Sequence, residues 1–230
     1  MGRQGGVLDL SQNPNPDKLA LLRTGAAVRE RLGANPALYK VPVEHAELWT
    51  RSTFLTDEEC DRIMAMIDQV AFPSDVLGHG YTEAWRSSSS ANLDRDDPLV
   101  QSIEQRIDAL LGLPHEWGET VQGQRYQPGQ QFKDHLDSFW TLADYWQEEA
   151  RRGGQRCFTA MIYLNDVEAG GSTDFPNLGV SIPPQKGVIL VWNNARPDGS
   201  LNEYTLHAGR PVEAGTKYIV TKWYRTRPWG

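Results

Sequence analysis

Apolar residues recur along this chain at two periods, every three to four positions in the first half and every second position in the second. From Asp17 to Leu32, residues Leu19, Leu22, Ala26 and Arg29 fall at helical spacing and Gly33 follows, which predicts a helix ending at the glycine. A strand is expected from Leu48 to Phe54. Next comes Thr56-Asp57-Glu58-Glu59, a capping box in which Thr56 caps and Glu59 reaches back. The helix it opens places Cys60, Ile63, Met64, Ile67 and Val70 on one stripe, and Pro73 follows its end. Another helix is predicted from Asp97-Pro98 to Gly112, burying Val100, Ile103, Ile107 and Leu110 or Leu111. Ahead of these elements, Met1 to Pro16 is rich in Gly, Asn, Gln and Pro. It can bury little surface and is expected to be mobile or draped over the fold.

From Thr120 onward the pattern shortens to strands separated by Gly, Pro and Asn turns. Phe158, Ala160, Ile162 and Leu164 alternate with Thr159, Met161, Tyr163 and Asn165, while Gly187 to Trp192 is a nearly continuous apolar run suited to a strand covered on both faces. The fold class is therefore α+β, with helices packed on one side of a β-sandwich. Residues 1–16 read as a flexible segment, 17–115 as a helical and strand part, and 116–230 as the β core of one domain. At 230 residues, 39% of them hydrophobic, the chain can build one substantial core.

Charge and cysteine content narrow the function classes. A net charge of −7 argues against general nucleic-acid binding, leaving only a local basic patch around Arg151, Arg152 and Arg156. Cys60 and Cys157 make no disulfide framework, and Cys157 reads as a small packed residue. Residues 1–10 lack the apolar stretch of a secretory signal, and no run of roughly 18 apolar residues occurs. A cytoplasmic protein with no membrane partner is expected.

Candidate chemistry begins at His135 and Asp137. Residues two apart on a strand share a face and lie roughly 6.8 Å apart, so both side chains can reach one ion. With His207, two imidazoles and a carboxylate would occupy one face of an octahedral Fe(II) and leave positions open for a co-substrate and dioxygen. The H-x-D pair alone is a common spacing. Ten residues past His207 stands Lys217, after a turn at Glu213 to Gly215, on a strand where Lys217, Ile219, Thr221 and Trp223 share a face. An ammonium and an aromatic on one cavity wall suit an anionic co-substrate beside a second substrate. The competing reading is an edge strand with Lys217 snorkelling into water.

Together these stretches resemble the prolyl 4-hydroxylases, Fe(II) and 2-oxoglutarate-dependent dioxygenases. The resemblance runs from about Trp85 to Arg225. It is carried in order by Arg86-Ser87-Ser88-Ser89, Arg125-Tyr126-Gln127-Pro128-Gly129-Gln130, His135-Leu136-Asp137 and Gly154-Gln155-Arg156. Met161 to Val167, Gly170 to Pro176, Pro184 to Gly187 and His207 to Trp223 complete it.

The resemblance implies a double-stranded β-helix, a jelly-roll or cupin-like form whose facing sheets hold a ligand cavity. It implies His135, Asp137 and His207 as iron ligands, Lys217 as partner of the distal 2-oxoglutarate carboxylate, and Tyr163 as its hydroxyl support. Thr205 could add a second hydroxyl, and Tyr126 either lines the iron pocket or is an ordinary core tyrosine. Arg156, Trp223 and Arg86 are implied substrate residues. The implied reaction consumes 2-oxoglutarate and O2, with L-ascorbate as reductant, and hydroxylates C4 of peptidyl proline with release of succinate and CO2. Other readings are the same chemistry on another residue or a free amino acid, and a non-catalytic binding module of the same fold. The expected partner is a proline-containing peptide or protein; a homodimer is left open.

Two further segments bear on substrate. The loop from Gly78 to Ala91 has the composition of a lid or of a plain flexible loop. The insertion from Ser138 to Gly154, with Phe139, Trp140, Tyr145 and Trp146, is expected to wall the entrance and stack on an extended proline-rich peptide. One departure stands out: Arg225 occupies the place of a family groove histidine in Lys222-Trp223-Tyr224-Arg225, which places the identity of the peptide in question.

Overall fold

Side-chain caps fix where two of the helices begin. In a computed structural model describing residue 10 and residues 13–74 and 85–230, the Thr56 hydroxyl accepts from Glu59 N at 3.2 Å while the Glu59 carboxylate accepts from Thr56 N at 2.9 Å. This reciprocal cap opens helix α2 (Asp57–Val70). Asp97 caps α3 (Pro98–Leu111) by accepting from Leu99 N and Val100 N, with Pro98 in the first turn where no N–H is needed. The same helix stops at Gly112, whose φ of 69° is left-handed and where a Cβ would stand 2.8 Å from Arg31 Cδ.

The N-terminal helix α1 (Lys18–Gly33) buries Leu21, Thr24, Gly25, Val28 and Leu32. This corrects the expected stripe: Leu19 is 68% exposed and Arg29 pairs with Glu47. The reason is contact distance. At Gly25 a Cβ would stand 3.1 Å from Asn193 Nδ2, so a glycine sits at this close approach between Leu21 and Val28, while Leu22 and Ala26 of the expected stripe face outward. In α2 the stripe is buried at Cys60, Ile63 and Ile67, whereas Val70 is 49% exposed.

The strands are β1 (Tyr39–Lys40), β2 (Leu48–Arg51), β3 (Phe72–Pro73), β4 (Ser89–Asn92), β5 (Gln122–Tyr126), β6 (Phe132–His135) and β7 (Arg156–Tyr163). They continue with β8 (Ala169–Gly170), β9 (Thr173–Phe175), β10 (Val180–Ile182), β11 (Ile189–Asn193), β12 (His207–Gly209), β13 (Val212–Ala214) and β14 (Lys217–Arg225). A large sheet has the order β1-β2-β11-β7-β14-β5-β4-β3, a second sheet the order β10-β9-β12-β6, and β13 pairs with β8. Strand β2 ends at Arg51, short of the expected Phe54, because the chain turns through Thr53 at a φ of 51°.

Alternation divides the large sheet into two buried faces. Phe158, Ala160 and Ile162 of β7, Ile189 and Val191 of β11 and Val220 of β14 pack with α1, α2 and α3 in the larger core. Met161, Tyr163, Leu190, Trp192 and Ile219 face the other way, onto Phe175 and Val212. Lys222 also faces the helices, fully buried, with Nζ 3.1 Å from Glu104 and 3.3 Å from Asp108 of α3. A helical layer over one face of the large sheet and the second sheet over its other face make the α+β sandwich the pattern foretold.

Several expectations meet the fold differently. Of the Gly78 to Ala91 loop, residues 78–84 lie outside those described, residues 85–88 are irregular, and the end of it is strand: Ser89–Asn92 pairs from Ser89↔Arg125 to Asn92↔Gln122. Ser88 and Ser90 are buried and share hydrogen bonds with Ser74 at 2.9 and 2.7 Å. Residues 1–9, 11 and 12 of the N-terminal segment also lie outside the description. Asn13 is buried and pinned, donating to Phe139 O at 3.1 Å and accepting from Thr141 N at 2.8 Å. Arg151, Arg152 and Arg156 form no common patch, since Arg151 pairs with Glu148 and Arg156, half-buried, pairs with Glu119.

Candidate active site

Strand β6 ends at His135, opposite His207 at the start of β12. Asp137 lies two residues past the strand end and still converges with the pair: one potential ligand atom from each of His135, Asp137 and His207 lies within 4.8 Å of the others. His207 Nε2 stands 3.8 Å from Asp137 Oδ2, and the imidazole centroids are 4.2 Å apart. Bonds of about 2.1 Å to an ion would draw these atoms closer by small side-chain rotations.

Both imidazoles are oriented as ligands by their backbone. His135 Nδ1 lies 2.7 Å from Lys133 O and His207 Nδ1 2.9 Å from Thr205 O, so each donates from Nδ1 and keeps the Nε2 lone pair for a metal. Burial, reinforced by the neighbouring His207, holds His135 well below the usual imidazole range and therefore neutral. The Phe132 ring stacks on His135 at 3.5 Å between centroids, and Arg86 covers the other side of Phe132 at 4.8 Å. The donor set fits a divalent iron with open positions.

Asp137 is buried at 5% exposure rather than surface-facing. It accepts from the Thr159 hydroxyl at 2.7 Å, and Asn194 Nδ2 donates to that hydroxyl at 3.0 Å. Sequence reasoning passed over this chain; its only trace was a threonine on the inward face of an otherwise apolar strand. Thr159→Val should preserve packing and lower metal affinity by roughly 10–100-fold, measured by titrating Fe(II) or Mn(II) into the anaerobic protein. Unaltered affinity would remove Thr159 from the site.

Lys217 begins β14 with 1% exposure, opposite Tyr126 in the ladder. Its ammonium forms no hydrogen bond or ion pair with any described residue and stands 5.4 Å from the Tyr126 ring centroid and 5.6 Å from that of Tyr163. Desolvation brings it down to about 7, opposed only by the charge of Asp174. This is not a snorkelling lysine. The Tyr163 hydroxyl donates to Thr173 Oγ1 at 2.8 Å, which adds Thr173 to the neighbourhood, and burial raises that phenol. Thr173 pairs with Gly209, two residues past His207, so the lysine pocket and the metal strand adjoin. Tyr126 is buried, with its hydroxyl donating to Gln124 at 2.7 Å; it belongs to the inner core and does not line the cavity described next.

Thr205 departs from expectation. It lies in a short 3-10 turn rather than on the His207 strand, and its hydroxyl donates to Asn202 O at 2.7 Å. It serves the site through its carbonyl alone.

Over the metal cluster opens a cavity of about 1010 Å³ lined by Trp85, Arg86, His135, Asp137, Arg156 and Trp223 among others. Phe139, Trp140 and Tyr145 of the insertion complete the lining. Arg156 grips Glu119 through two bonds of 2.6 and 2.8 Å and lies 4.2 Å over the Trp223 ring. Burial alone would raise the Glu119 carboxyl, but the Arg156 and Arg225 guanidiniums hold it below its ordinary value. The indole N–H of Trp223 is buried without an acceptor among the described residues.

Arg225 does not line this cavity. It is 2% exposed, donates to Glu119 at 2.5 Å, Glu149 at 2.6 Å and Gly154 O at 2.7 Å, and covers Phe139 at 4.5 Å. It ties the insertion to the large sheet instead of reading a substrate. Arg225→His, which restores the family residue, should cost about 3 kcal/mol by stranding buried carboxylates. Urea unfolding and limited proteolysis within 138–154 would register the loss, and wild-type behaviour in both would contradict it. Cys157 is packed as expected, its thiol pushed up to about 12 by burial.

Residues 121–225 match the model of the 2OG-Fe(II) oxygenase superfamily. The chain is 33% identical over 240 residues to prolyl 4-hydroxylase 1 of Arabidopsis thaliana, covering 95% of this chain and 79% of that protein. It is 33% identical over 177 residues to a putative prolyl 4-hydroxylase of Acanthamoeba polyphaga mimivirus, covering 76% and 73%. Two other Arabidopsis thaliana relatives are longer, and the chain spans 66% and 65% of their length. In structure it is similar to the viral collagen prolyl hydroxylase of Paramecium Bursaria Chlorella virus-1, in its 2OG complex, with a TM-score of 0.59 at 28% identity over 77% of this chain and 94% of that one. The chain belongs to the 2OG-Fe(II) oxygenase superfamily and, within it, to the prolyl 4-hydroxylases.

Proposed function

We propose that this protein hydroxylates a proline of a peptide or protein substrate at C4. The observation that carries the reading is a buried lysine with no carboxylate partner among the described residues, on the large sheet's inner face, across the sandwich from the second sheet whose strands β6 and β12 bring the two histidines together beside Asp137. Bound Fe(II) and 2-oxoglutarate would supply the oxidation, with O2 consumed, succinate and CO2 released, and one oxygen atom delivered to a C–H bond.

This chain's residues then have definite tasks. His135, Asp137 and His207 hold the metal, with Thr159 fixing the carboxylate and two backbone carbonyls fixing the imidazoles. Lys217 neutralises the distal carboxylate of 2-oxoglutarate, and the Tyr163 and Thr173 hydroxyls give that end its direction. Trp223 lines the substrate space with its ring, and Arg156, stacked on it, keeps the ring in place. Phe139 and Trp140 exclude water from the mouth.

L-Ascorbate belongs to the proposal as reductant on the strength of the resemblance. Two buried free thiols suit a cytoplasmic location. A homodimer remains a proposal for analytical ultracentrifugation. The activity itself is tested by succinate formation with Fe(II), ascorbate and O2, with and without proline-rich peptides. Stimulated turnover, with one added oxygen atom located on proline by mass spectrometry, supports the reading. Oxygen located on another residue, or no stimulation by any peptide, overturns it.

A further inference from the structure

The cavity is lined by four carboxylates and four arginines, but they are not all paired with one another. Its carboxylates are engaged: Asp137 in the metal cluster, Glu119 with Arg156 and Arg225, Asp134 at 3.4 Å from Arg210, and Glu203 with Arg196. Among the lining arginines, Arg156 is matched by Glu119, and Arg86 donates to Ser88, Ser90 and Gln122. Arg95 and Arg152 differ. Neither pairs with a described carboxylate, and each stands 5.7 Å from the centroid of the Trp229 ring, which also lines the cavity.

Nearby acids are occupied elsewhere. Asp94 accepts from Asp96 N at 2.9 Å, Asp97 caps α3, and Glu148 is bound by Arg151 at 2.5 Å. The shared contact with Trp229 brings the two guanidiniums together, away from Lys217. Arg95 follows Asn92, which lies opposite Gln122 and so, through it, beside Thr221 of β14. Arg152 precedes Arg156, the partner of Arg225 at the end of β14 away from Lys217. In a protein of net charge −7, this is a local cationic, aromatic stack opening on the substrate space.

We propose that the Arg95, Trp229 and Arg152 stack receives a carboxylate of the substrate peptide, placed on one side of the target proline. The inference rests on the peptide-hydroxylase reading above and refines its substrate class to an acidic peptide. The carboxylate is either an Asp or Glu side chain or a free C-terminus, since a guanidinium pair binds both alike.

The test walks one Asp, or its Asn control, along both sides of the proline in an otherwise neutral peptide with blocked ends; a second set leaves the C-terminus free. Peptide affinity is read by anisotropy without turnover and, separately, hydroxyproline formation by mass spectrometry. The expected result is binding about tenfold tighter for Asp than Asn at positions on one side only, a preference that falls with salt. In the double variant Arg95→Gln, Arg152→Gln the Asp-to-Asn ratio should approach one, whereas Arg95→Lys, Arg152→Lys should keep part of it. Preference only for the free C-terminus assigns that source. Equal binding of Asp, Asn and free-acid peptides by the wild type, or a ratio that survives the glutamines, overturns the inference even if proline is hydroxylated. Selective binding without hydroxylation upholds the acidic site and overturns the reaction instead.

Discussion

Asp137→Ala should abolish succinate formation, a loss well beyond the roughly 10–100-fold that outer-shell changes at metal sites produce. The two imidazoles would remain, held through their Nδ1 atoms by Lys133 O and Thr205 O, but two neutral ligands bring neither the third bond nor the negative charge a divalent ion requires. The fold should persist. The side chain contributes no apolar packing, and its removal leaves one Thr159 hydroxyl without its acceptor, a cost of about 1–3 kcal/mol. Turnover, Fe(II) titration and a denaturant curve on one preparation separate the effects. Normal turnover in the variant would remove Asp137 from the metal site.

Lys217→Met should act on co-substrate affinity and on stability in opposite senses. If Lys217 pairs with the distal carboxylate as proposed, its loss should raise the KM for 2-oxoglutarate by about 10²-fold, corresponding to roughly 3 kcal/mol. Without co-substrate the same change should stabilise the protein near neutral pH, because methionine carries no desolvated ammonium. The sign follows from linkage. Lys217 ordinarily titrates near 10.5 and is brought to about 7 by burial, so between those values the unfolded chain binds more protons than the folded one. Its contribution therefore rises with pH across that window and is lost as pH falls through about 7. Urea midpoints from pH 6.5 to 9.5 should show the wild type gaining on the Met variant by an order of a few kcal/mol. Parallel curves would mean that the ammonium is not desolvated in solution, and an unchanged KM would remove Lys217 from the co-substrate pocket.

What could be read before the fold was known was local. The capping box at Thr56, the stop at Gly112 and the alternation through β7 are contained within a few residues, where dihedral preference and side-chain period decide the outcome. His135 and Asp137 were legible for the same reason, as near neighbours, and His207 and Lys217 came with the motif around them. Thr159 and Asn194 were not, because they reach Asp137 across 22 residues in one step and a further 35 in the next. Arg225 was misjudged as a groove residue since the carboxylates that claim it, Glu119 and Glu149, lie 106 and 76 positions away. The face of α1 was misjudged because proximity to Asn193, invisible in the helix itself, favours Gly25 over leucine. Thr205 was read as a second hydroxyl for the co-substrate because nothing in its neighbours announces the 3-10 turn that points it at Asn202.

Strand β14 carries two buried lysines on opposite faces, Lys217 toward the co-substrate pocket and Lys222 toward Glu104 and Asp108 of α3. The gene is therefore locked in frame over this stretch more tightly than its side chains alone would suggest. Deleting one codon between the two would turn either the first ammonium into the helical layer or the second into the active-site space, away from its carboxylates. Within these nine residues an exchanged side chain is a local event, whereas a gained or lost residue between the lysines reassigns two buried charges at once.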